Sequence, residues 1–505
     1  MEDELNTELP SRLAKLLRSN CPPSDSETAA IEDAIAVRTR AVARLNSNVD
    51  PLLAKRDDLV ASLHSLSLLL SATRTLPVDV LIEIFRATVE LGGDPGWRAI
   101  AIESPELWTS IDIDNSPVRK LRPTGYPVKK LEVLLQRSGS HVLSIRFCTI
   151  KQSFIHDDAP VTPHAVRIFR MLVAASERWG SLFLRCSPAW FPFVADLKGR
   201  LPVLRRLTLD LCFDNNSLTA FEVVPQLSSL ALLGLYIPDS LSLPWSQITR
   251  FNCQYGLWQH HVGVLERVRN IRECHLVLAN WAPNEHTGTL VLPKLNKLYV
   301  ARGDFLEFDA PLLDELVVEP LSMTPPSDAL GNLAALIQQS SCQLTKLCLI
   351  AAIPSIADVP KLTTVLELLP SLLNLCVQSR DPKEAVAIDH LVISLSGIPR
   401  LVPHLEALTL GGYPCDWTTL VDTIWNRRHA NPAGSSPLRA FSIFHIERIH
   451  ALVPDELQRL ETLRHEGLEL NILEGPDARA AMVAVPFFHA GASHGKFWAP
   501  DSEAT

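Results

Sequence analysis

Two short stretches contain residues that could do chemistry, a histidine pair and a glycine-flanked segment with a lysine. His260-His261, in GLWQHHVG, could supply metal ligands, but no carboxylate or further ligand lies at a supporting spacing, so a loop or core pair is the better interpretation. GASHGK, residues 491–496, resembles a phosphate loop only loosely, because three residues instead of four separate its glycines and Phe497 follows the lysine. Neither stretch predicts a metal or nucleotide site.

Motifs of the common enzyme classes are absent from the sequence. It contains no G-x-S-x-G elbow, no H-E-x-x-H helix and no Rossmann fingerprint. The ten cysteines show no C-x-x-C spacing, which structural zinc or a redox dithiol would require, and most stand in apolar strand-like runs. We therefore expect buried reduced thiols, no cofactor and no enzymatic activity.

Composition restricts the partners that the chain could bind. Its 505 residues are 47% hydrophobic and carry a net charge of -9, with 56 acidic and 47 basic residues and no long run of either sign. This balance disfavours nucleic acid and anionic membranes as partners. The acidic start MEDELNTELP lacks an apolar signal core, and no stretch approaches the roughly 18 apolar residues that a membrane span needs. We expect a cytoplasmic or nuclear protein.

Residues 1–72 are predicted to form an N-terminal helical segment. Apolar residues recur from Ile31 to Leu70 in steps of three, four or seven, which indicates a coiled-coil-like heptad seam. Arginines occupy two of the seam positions and would be costly in a tight dimer core. Asp50-Pro51 favours a break or kink in the helix, with a hairpin as the alternative. Self-association and packing against the next domain stay open as roles for this segment.

The next two segments are compact and rich in apolar anchors. TRTLPVDVLIEIFRATVE, residues 73–90, carries apolar residues at helical spacing after Pro77, which suits a helix start because its missing N–H costs nothing there. A helix so short and apolar is not stable alone, so it needs a partner surface in this chain or on another protein. GWRAIAIESPELWTSIDI, residues 96–113, adds the anchors Trp97 and Trp108.

These segments resemble the F-box proteins, in particular the large fungal set. LPVDVLIEIF, residues 76–85, matches the family pattern L-P-x-[DE]-[VI]-L-x-x-I-F, and WRAIAIESPELW, residues 97–108, matches W-R-x-[IA]-A-x-x-x-P-x-L-W. The preceding LLRSNCPPSDSETAAI, residues 16–31, also looks like the lead-in of the fungal proteins. The resemblance covers about the first quarter of the chain.

The resemblance implies an F-box-like motif over residues 73–113 that docks on a Skp-type adaptor and links the chain to a cullin-based ubiquitin ligase. The partner-binding residues that it implies are Leu76, Pro77, Val80, Ile84, Phe85, Trp97 and Trp108. Only RATVELGGDPG separates the two halves, whereas the family usually has a longer insert with a central helix. Two functions therefore stay open: a substrate-recognition adaptor of the ligase, and a non-ligase interaction scaffold with a vestigial F-box.

Downstream, over residues 114–452, a short L-x-x-L-x-L phrase recurs. The clear copies are LPVLRRLTLDL from 201, VPQLSSLALLGL from 224, LPKLNKLYVA from 292, APLLDELVVE from 310, CQLTKLCLI from 342, LPSLLNLCVQ from 369 and VPHLEALTLGG from 402. Weaker copies are VLSIRFCTI from 142, LPWSQITRFNC from 243, VRNIRECHLVL from 268 and PLRAFSIFHI from 437. From residue 201 onward the starts are 18 to 35 residues apart, which brackets the repeat length of leucine-rich arrays.

The repeats predict an α/β fold, an irregular leucine-rich-repeat-like solenoid of parallel strands with helices on its convex side. The last two leucines of each phrase would alternate inward on a short strand, while TTVLELLPS (363–371) and WTTLVDTIWNRRH (417–429) have helical spacing. Residues 453–505 would form a C-terminal cap, with a helix and a last strand, and a frayed tail. The concave strand residues would line the surface for an unknown protein substrate. Examples are Arg206, Thr208, Lys297, Tyr299, Glu315, Val317, Lys346 and Cys348.

Overall fold

A computed structural model provides the fold of the chain, which divides into two compact units, Met1–Ala101 and Ile102–Thr505. The residues that it describes are 24, 26, 28–33, 35–37, 39–40, 104–114, 127–150, 161–211, 217–233, 240–256, 258–278, 289–301, 308–319, 329–353, 355–379, 381, 384–397, 401–412, 416–429, 435–445 and 453–484. In the first unit the described residues from 26 to 40 are helical, and the seam residue Ile35 is exposed. Ile31, the first residue of the seam, is half-buried, and the apolar seam residues from Val42 onward lie outside the described residues.

The second unit is built on one large sheet. Its strands, with a separate pair β8 and β10, are β1 (Ser110–Asp114), β2 (Leu143–Cys148), β3 (Trp179–Cys186), β4 (Arg206–Leu211), β5 (Ser229–Leu233), β6 (Arg250–Gly256), β7 (Glu273–Leu278), β8 (Leu290–Val291), β9 (Lys297–Ala301), β10 (Phe308–Asp309), β11 (Glu315–Glu319), β12 (Lys346–Ile350), β13 (Asn374–Gln378), β14 (Ala407–Gly412), β15 (Ala440–His445) and β16 (Glu469–Glu474). Among the described residues, fourteen of these strands form a single sheet in the order in which they follow along the chain. Every neighbouring pair in it is parallel.

The repeated phrase explains this sheet. In the copy from 201, Leu204 folds in from the turn while Leu207 and Leu209 lie on β4, and all three are buried in the main core. The register places Leu207 beside Leu182 of β3 and Leu230 of β5, so equivalent leucines of successive phrases stack across the strands. Each strand thus buries its apolar side chains against its neighbours, as repeat units do. The predicted parallel, solenoid-like α/β architecture is confirmed.

The helices cover the face of the sheet that carries these leucines. They are α1 (Val128–Arg137), α2 (Pro163–Ala174), α3 (Phe191–Val194), α4 (Trp258–Leu265), α5 (Ala329–Ser340), α6 (Val359–Glu367), α7 (Ala385–Ser396), α8 (Trp417–His429), α9 (Pro454–His465) and α10 (Gly475–Ala484), of which the last packs elsewhere. Each of the helices α5 to α9 contacts the next one along the chain, and their apolar residues are part of the main core. The predicted helix at 417–429 is confirmed, and the one at 363–371 lies instead at Val359–Glu367.

Three features were not anticipated from the sequence. Strands β1 and β3 belong to the sheet although neither was among the predicted phrases, and helix α10 follows β16 where only a strand and a tail were expected. The sheet therefore extends from Ser110 to Glu474, beyond both ends of the predicted range 114–452. The boundary between the two units falls inside the predicted F-box-like segment 73–113.

Candidate functional site

The strand residues that point away from the main core form a second face of the sheet, which we call the front face. It consists of three rows of residues that run across the strands. On β9 the amino row is occupied by Lys297, the middle row by Tyr299 and the carboxyl row by Ala301, and the register aligns the equivalent residues of the other strands. The eight residues predicted to face a concave surface all belong to the amino or middle row.

Alternating charges fill the central part of the amino row. Arg250 on β6 lies 3.2 Å from the Glu273 carboxylate on β7, from Nε to Oε2. Glu315 on β11 pairs with lysines of both flanking strands, because Lys346 Nζ donates to its Oε1 at 2.7 Å and Lys297 Nζ forms an ion pair with its Oε2 at 3.1 Å. The four outer side chains of this ladder are about one-third exposed, so a partner can reach them.

Replacing Glu315 with Gln should lower the free energy of unfolding by about 1–3 kcal/mol. The carboxylate is buried between two lysines, and its loss would leave two ammonium groups facing each other without compensation. Urea unfolding followed by circular dichroism would measure the change. Glu273→Gln is the matched control, because its pair with Arg250 is more exposed and should contribute less than about 1 kcal/mol. Equal effects of the two substitutions would contradict the account.

The middle row carries a polar line across β6, β7 and β9. His275 Nδ1 donates to Asn252 Oδ1 at 3.0 Å, and the ring of His275 packs on the ring of Tyr299 with centroids 4.1 Å apart. Tyr299 in turn donates its hydroxyl proton to Glu319. Burial lowers the pKa of His275 to about 3, so the imidazole is neutral at physiological pH. This line can orient hydrogen bonds, and its imidazole is not poised to exchange protons near pH 7.

An apolar group of side chains follows the polar line along the front face. We call it the front cluster, and its members are Tyr299, Ala301, Val317, Cys348, Ile350 and Cys376. The register places Cys348 on β12 directly between Val317 on β11 and Cys376 on β13. All six members are exposed by 5% or less, so the cluster is a buried apolar group beside the charged amino row.

The front face near β3 combines an aromatic ring with two guanidinium groups. Phe183 lies under the guanidinium carbons of Arg146, at 4.8 Å, and Arg185, at 5.4 Å. Arg185 also pairs with the buried carboxylate of Asp210, 2.5 Å from Nε to Oδ2. Phe183 packs with Cys148 and Leu233 in a small buried cluster. These contacts hold the two arginines in place along the face, and Arg146 also pairs with Asp112, 3.7 Å from Nε to Oδ1.

Helix α10 differs from the other helices because it packs on the front face. It contacts β14, β15 and β16, and the main-chain oxygen of Met482 accepts from Gln378 Nε2 on β13 at 3.1 Å. Gly411 on β14 permits this approach, since a Cβ there would lie 3.2 Å from both Met482 Cγ and Gln378 Cγ. Part of the front face is therefore occupied by the chain itself.

Of the residues predicted to bind a Skp-type adaptor, Trp108 is the one that the structure describes. It ends a short 3-10 helix, Pro105–Trp108, and Arg137 of α1 places its guanidinium 4.5 Å from the centroid of the indole. The other six residues, Leu76, Pro77, Val80, Ile84, Phe85 and Trp97, lie outside the described residues. The prediction for them stays a prediction.

The histidine pair and the cysteines, which could have bound a metal or taken part in catalysis, contribute to the packing of the fold. His260 and His261 lie on α4, where His261 is fully buried, in agreement with a core pair. In the described part of the chain, no group of three or more His, Cys, Asp or Glu side chains could hold a metal ion. The seven cysteines that are described are all buried, and none of them forms a disulfide, as expected.

The sequence contains a signal for the charge ladder, but the signal lies in the sign of the charge at one repeat position and not in the spacing of residues. Lys297, Glu315 and Lys346 each stand directly before the first strand leucine of their phrase, and Glu273 holds the same position before Cys274. Comparing the sign of the charge at this one position from repeat to repeat would have found the ladder. Helix α10 gave no comparable signal, because GPDARAAMVA has few large apolar residues.

No protein-family model matches the chain, and no curated protein matches it. Within the described residues, none of the helices combines the length and the apolar character needed to span a membrane.

Proposed function

We propose that this chain is a non-enzymatic substrate-recognition adaptor of a Skp/cullin/F-box-type ubiquitin ligase, in which residues 76–108 dock a Skp-type adaptor and the front face binds a target protein. The observation that supports this proposal best is the front face itself, a continuous surface of parallel strands with an ordered ladder of charges.

The charges of the amino row indicate what kind of partner this face suits. Arg250, Glu273, Lys297, Glu315 and Lys346 alternate in sign over neighbouring strands, so a surface of one sign would meet repulsion at every second position. A folded or extended protein segment with both signs of charge satisfies the row, whereas nucleic acid does not. Such complementarity favours specificity over raw affinity.

Affinity purification of the tagged full-length chain, with mass spectrometry of the recovered proteins, tests the proposal. A Skp-type adaptor should co-purify, and the double substitution Leu76→Ala/Pro77→Ala should reduce its recovery at least tenfold, because these two residues begin the proposed docking helix. Glu83→Ala, on the same helix, is the matched control and should retain the adaptor. Unchanged recovery with the double substitution would contradict docking through this motif.

The short connection between the two halves of the motif favours a second function, a non-ligase interaction scaffold. Residues 86–96 separate the halves here, a shorter insert than the family usually has, so the central helix that the resemblance implies would be missing or reduced to residues 88–91. The same purification distinguishes the two functions. A scaffold should recover other proteins, in amounts that the Leu76→Ala/Pro77→Ala substitution does not change, and no Skp-type adaptor.

A further inference from the structure

A groove runs along the outer side of helix α2. One stripe of this helix packs into the main core, and it consists of Ala165, Ile168, Phe169, Leu172 and Val173. A second stripe lies beside the first and, together with Val161 and Phe193 of α3, lines an open cavity of about 650 Å³. Its members are Pro163, Val166, Arg167, Arg170, Met171 and Ala174. Steps of one and three residues keep these side chains on one flank of the helix, so the groove follows α2 for about 16 Å.

The groove exists because α2 is flanked differently from the later helices. Each of the helices α5 to α9 packs on the next one along the chain. Among the described elements, α2 packs instead on the short helix α3 and on the 3-10 turn Ser176–Arg178, and it makes no extensive contact with α1 or α4. The apolar side chains of Val166, Met171 and Phe193 are therefore only half-buried, and a further helix could cover them.

Both walls of the groove are held in place by the fold. The ring of Phe193 packs on Trp190 with centroids 5.7 Å apart, and Trp190 packs in turn on Phe147 at 5.2 Å. Trp190 and Phe147 are buried in the main core. The first turn of α2 is capped by Thr162, whose hydroxyl accepts from the main-chain N–H of Ala165 at 3.2 Å. A preformed groove of this kind loses little entropy when a partner binds.

The charge of the groove is positive. Arg167 and Arg170 are exposed, and α2 contains no acidic residue. In the described part of the chain, neither arginine forms an ion pair with a carboxylate. Because both side chains line the cavity, their methylene stems add to its apolar wall while the guanidinium groups can reach water at the rim. The groove therefore suits a ligand that combines apolar side chains with carboxylates.

A protein helix fits these features better than other anionic ligands do. Nucleic acid offers no apolar side chains for Val166, Met171 and Phe193. Anionic membranes are bound by clusters of about four to eight basic residues, whereas this groove has two. Small-molecule sites enclose most of their ligand, and a groove on the flank of one helix does not. An amphipathic helix needs only one covered face.

We propose that the groove along α2 binds an acidic amphipathic helix of a partner protein. Apolar residues of that helix, spaced by three or four positions, contact Val166, Met171 and Phe193. Asp or Glu residues beside them pair with Arg167 and Arg170, whose planar guanidinium groups suit bidentate contacts with carboxylates. The groove lies on the helical side of the sheet, so this second surface is separate from the front face and does not depend on the proposed function.

Selection from a random peptide library on the purified full-length chain tests the proposal, with fluorescence anisotropy to measure the affinity of the selected peptides. The enriched peptides should carry apolar residues at helical spacing together with Asp or Glu. Ala174→Glu places a carboxylate in the groove at an exposed position and should weaken their binding at least tenfold. Ala195→Glu, at an exposed alanine outside the groove, is the matched control and should not. If no selected peptide responds to Ala174→Glu, the proposal fails.

A charge swap tests the role of the two arginines. Arg167→Glu/Arg170→Glu should weaken binding of the selected acidic peptides at least tenfold and should strengthen binding of the same peptides with Lys in place of their acidic residues. Arg200→Glu, at an exposed arginine outside the groove, should change neither affinity, and circular dichroism would confirm that all variants are folded. Groove-binding peptides that do not respond to the swap would overturn the acidic specificity. The pull-down of a Skp-type adaptor is independent of these affinities, so failure of the proposed function and failure of the groove are distinguishable.

Discussion

Replacing Arg427 with Met is expected to lower the free energy of unfolding by about 3–5 kcal/mol. The Arg427 side chain on α8 is only 2% exposed and donates to three main-chain carbonyls. Its Nε lies 3.0 Å from Leu395 O, its Nη1 lies 3.2 Å from Val402 O, and its Nη2 lies 2.6 Å from Leu401 O. Met fills a similar volume but donates nothing, so two buried carbonyls and one part-buried carbonyl would lose their donor. Urea unfolding monitored by circular dichroism would measure the loss.

Two local features explain why this one side chain should matter so much. Leu395 lies in the last turn of α7, where carbonyls lack helical partners and the helix dipole favours a cation. Val402 has a φ of 45°, a costly conformation for a β-branched residue, and it persists only where its surroundings hold it in place. Arg427 thus links α8 to the end of one repeat and the turn that begins the next strand.

Arg428→Met is the matched control for this substitution. Arg428 is adjacent in sequence and also donates to main-chain carbonyls, to Leu438 O at 2.9 Å and Glu466 O at 2.5 Å, but the second of these bonds is exposed to water. Water can replace the lost donor there, so we expect a loss of about 1 kcal/mol or less. If Arg427→Met lowers the free energy of unfolding no more than the control does, the hydrogen bonds of Arg427 to these carbonyls do not stabilise the fold as expected.

The strand positions could be predicted from the sequence because each phrase encodes one repeated physical unit. In LPKLNKLYVA the spacing of Leu295 and Leu298 indicates both the turn and the strand, and both residues are buried as that spacing requires. The same argument failed for β3, where Trp179 takes the first core position of the strand. A Trp there buries as well as a Leu does, but it breaks a pattern defined by leucine.

The front face could be assigned from the sequence only in part. Alternation along a strand places Val317 and Cys348 on the face opposite the leucines, and the structure has them there. Alternation carries no information about what lies above that face, so both residues were expected to line an open surface and are instead fully buried. Helix α10 escaped prediction for a related reason, since its contact depends on the missing side chain of Gly411, sixty residues or more away from it in the sequence.

The inward orientation of Arg427 on its helix could not be predicted from the sequence either. The run RRH at the end of α8 reads as an ordinary basic helix terminus, and the helix was predicted with its correct bounds. Which of two adjacent arginines points inward depends on the rotation of the helix against α7, and spacing within one helix does not determine it. Local sequence patterns therefore determine where helices and strands begin and end. Packing between distant segments determines which side chains become buried and contribute most to stability.

The protein should lose stability as the pH falls below about 6.5, the usual pKa of histidine in an unfolded chain. Burial lowers the pKa of His445 to about 4 and that of His275 to about 3 in the folded chain. Below pH 6.5 the unfolded state therefore binds protons that the folded state cannot, so unfolding becomes more favourable as the pH falls. At pH 5 the two groups together should cost about 4 kcal/mol relative to pH 8. The loss should continue down to about pH 4 for His445 and about pH 3 for His275.

His445→Phe isolates one of the two contributions. The imidazole lies 5.4 Å from the Trp417 ring, and among the described residues neither ring nitrogen has a hydrogen-bond partner, so a phenyl ring removes the titrating group without breaking a bond. Urea unfolding at a series of pH values should show the slope between pH 7 and pH 5 reduced by about half. A slope unchanged by His445→Phe would mean that the buried imidazole accepts its proton as readily in the folded chain as in the unfolded one, and the acid sensitivity would then have to arise from other groups.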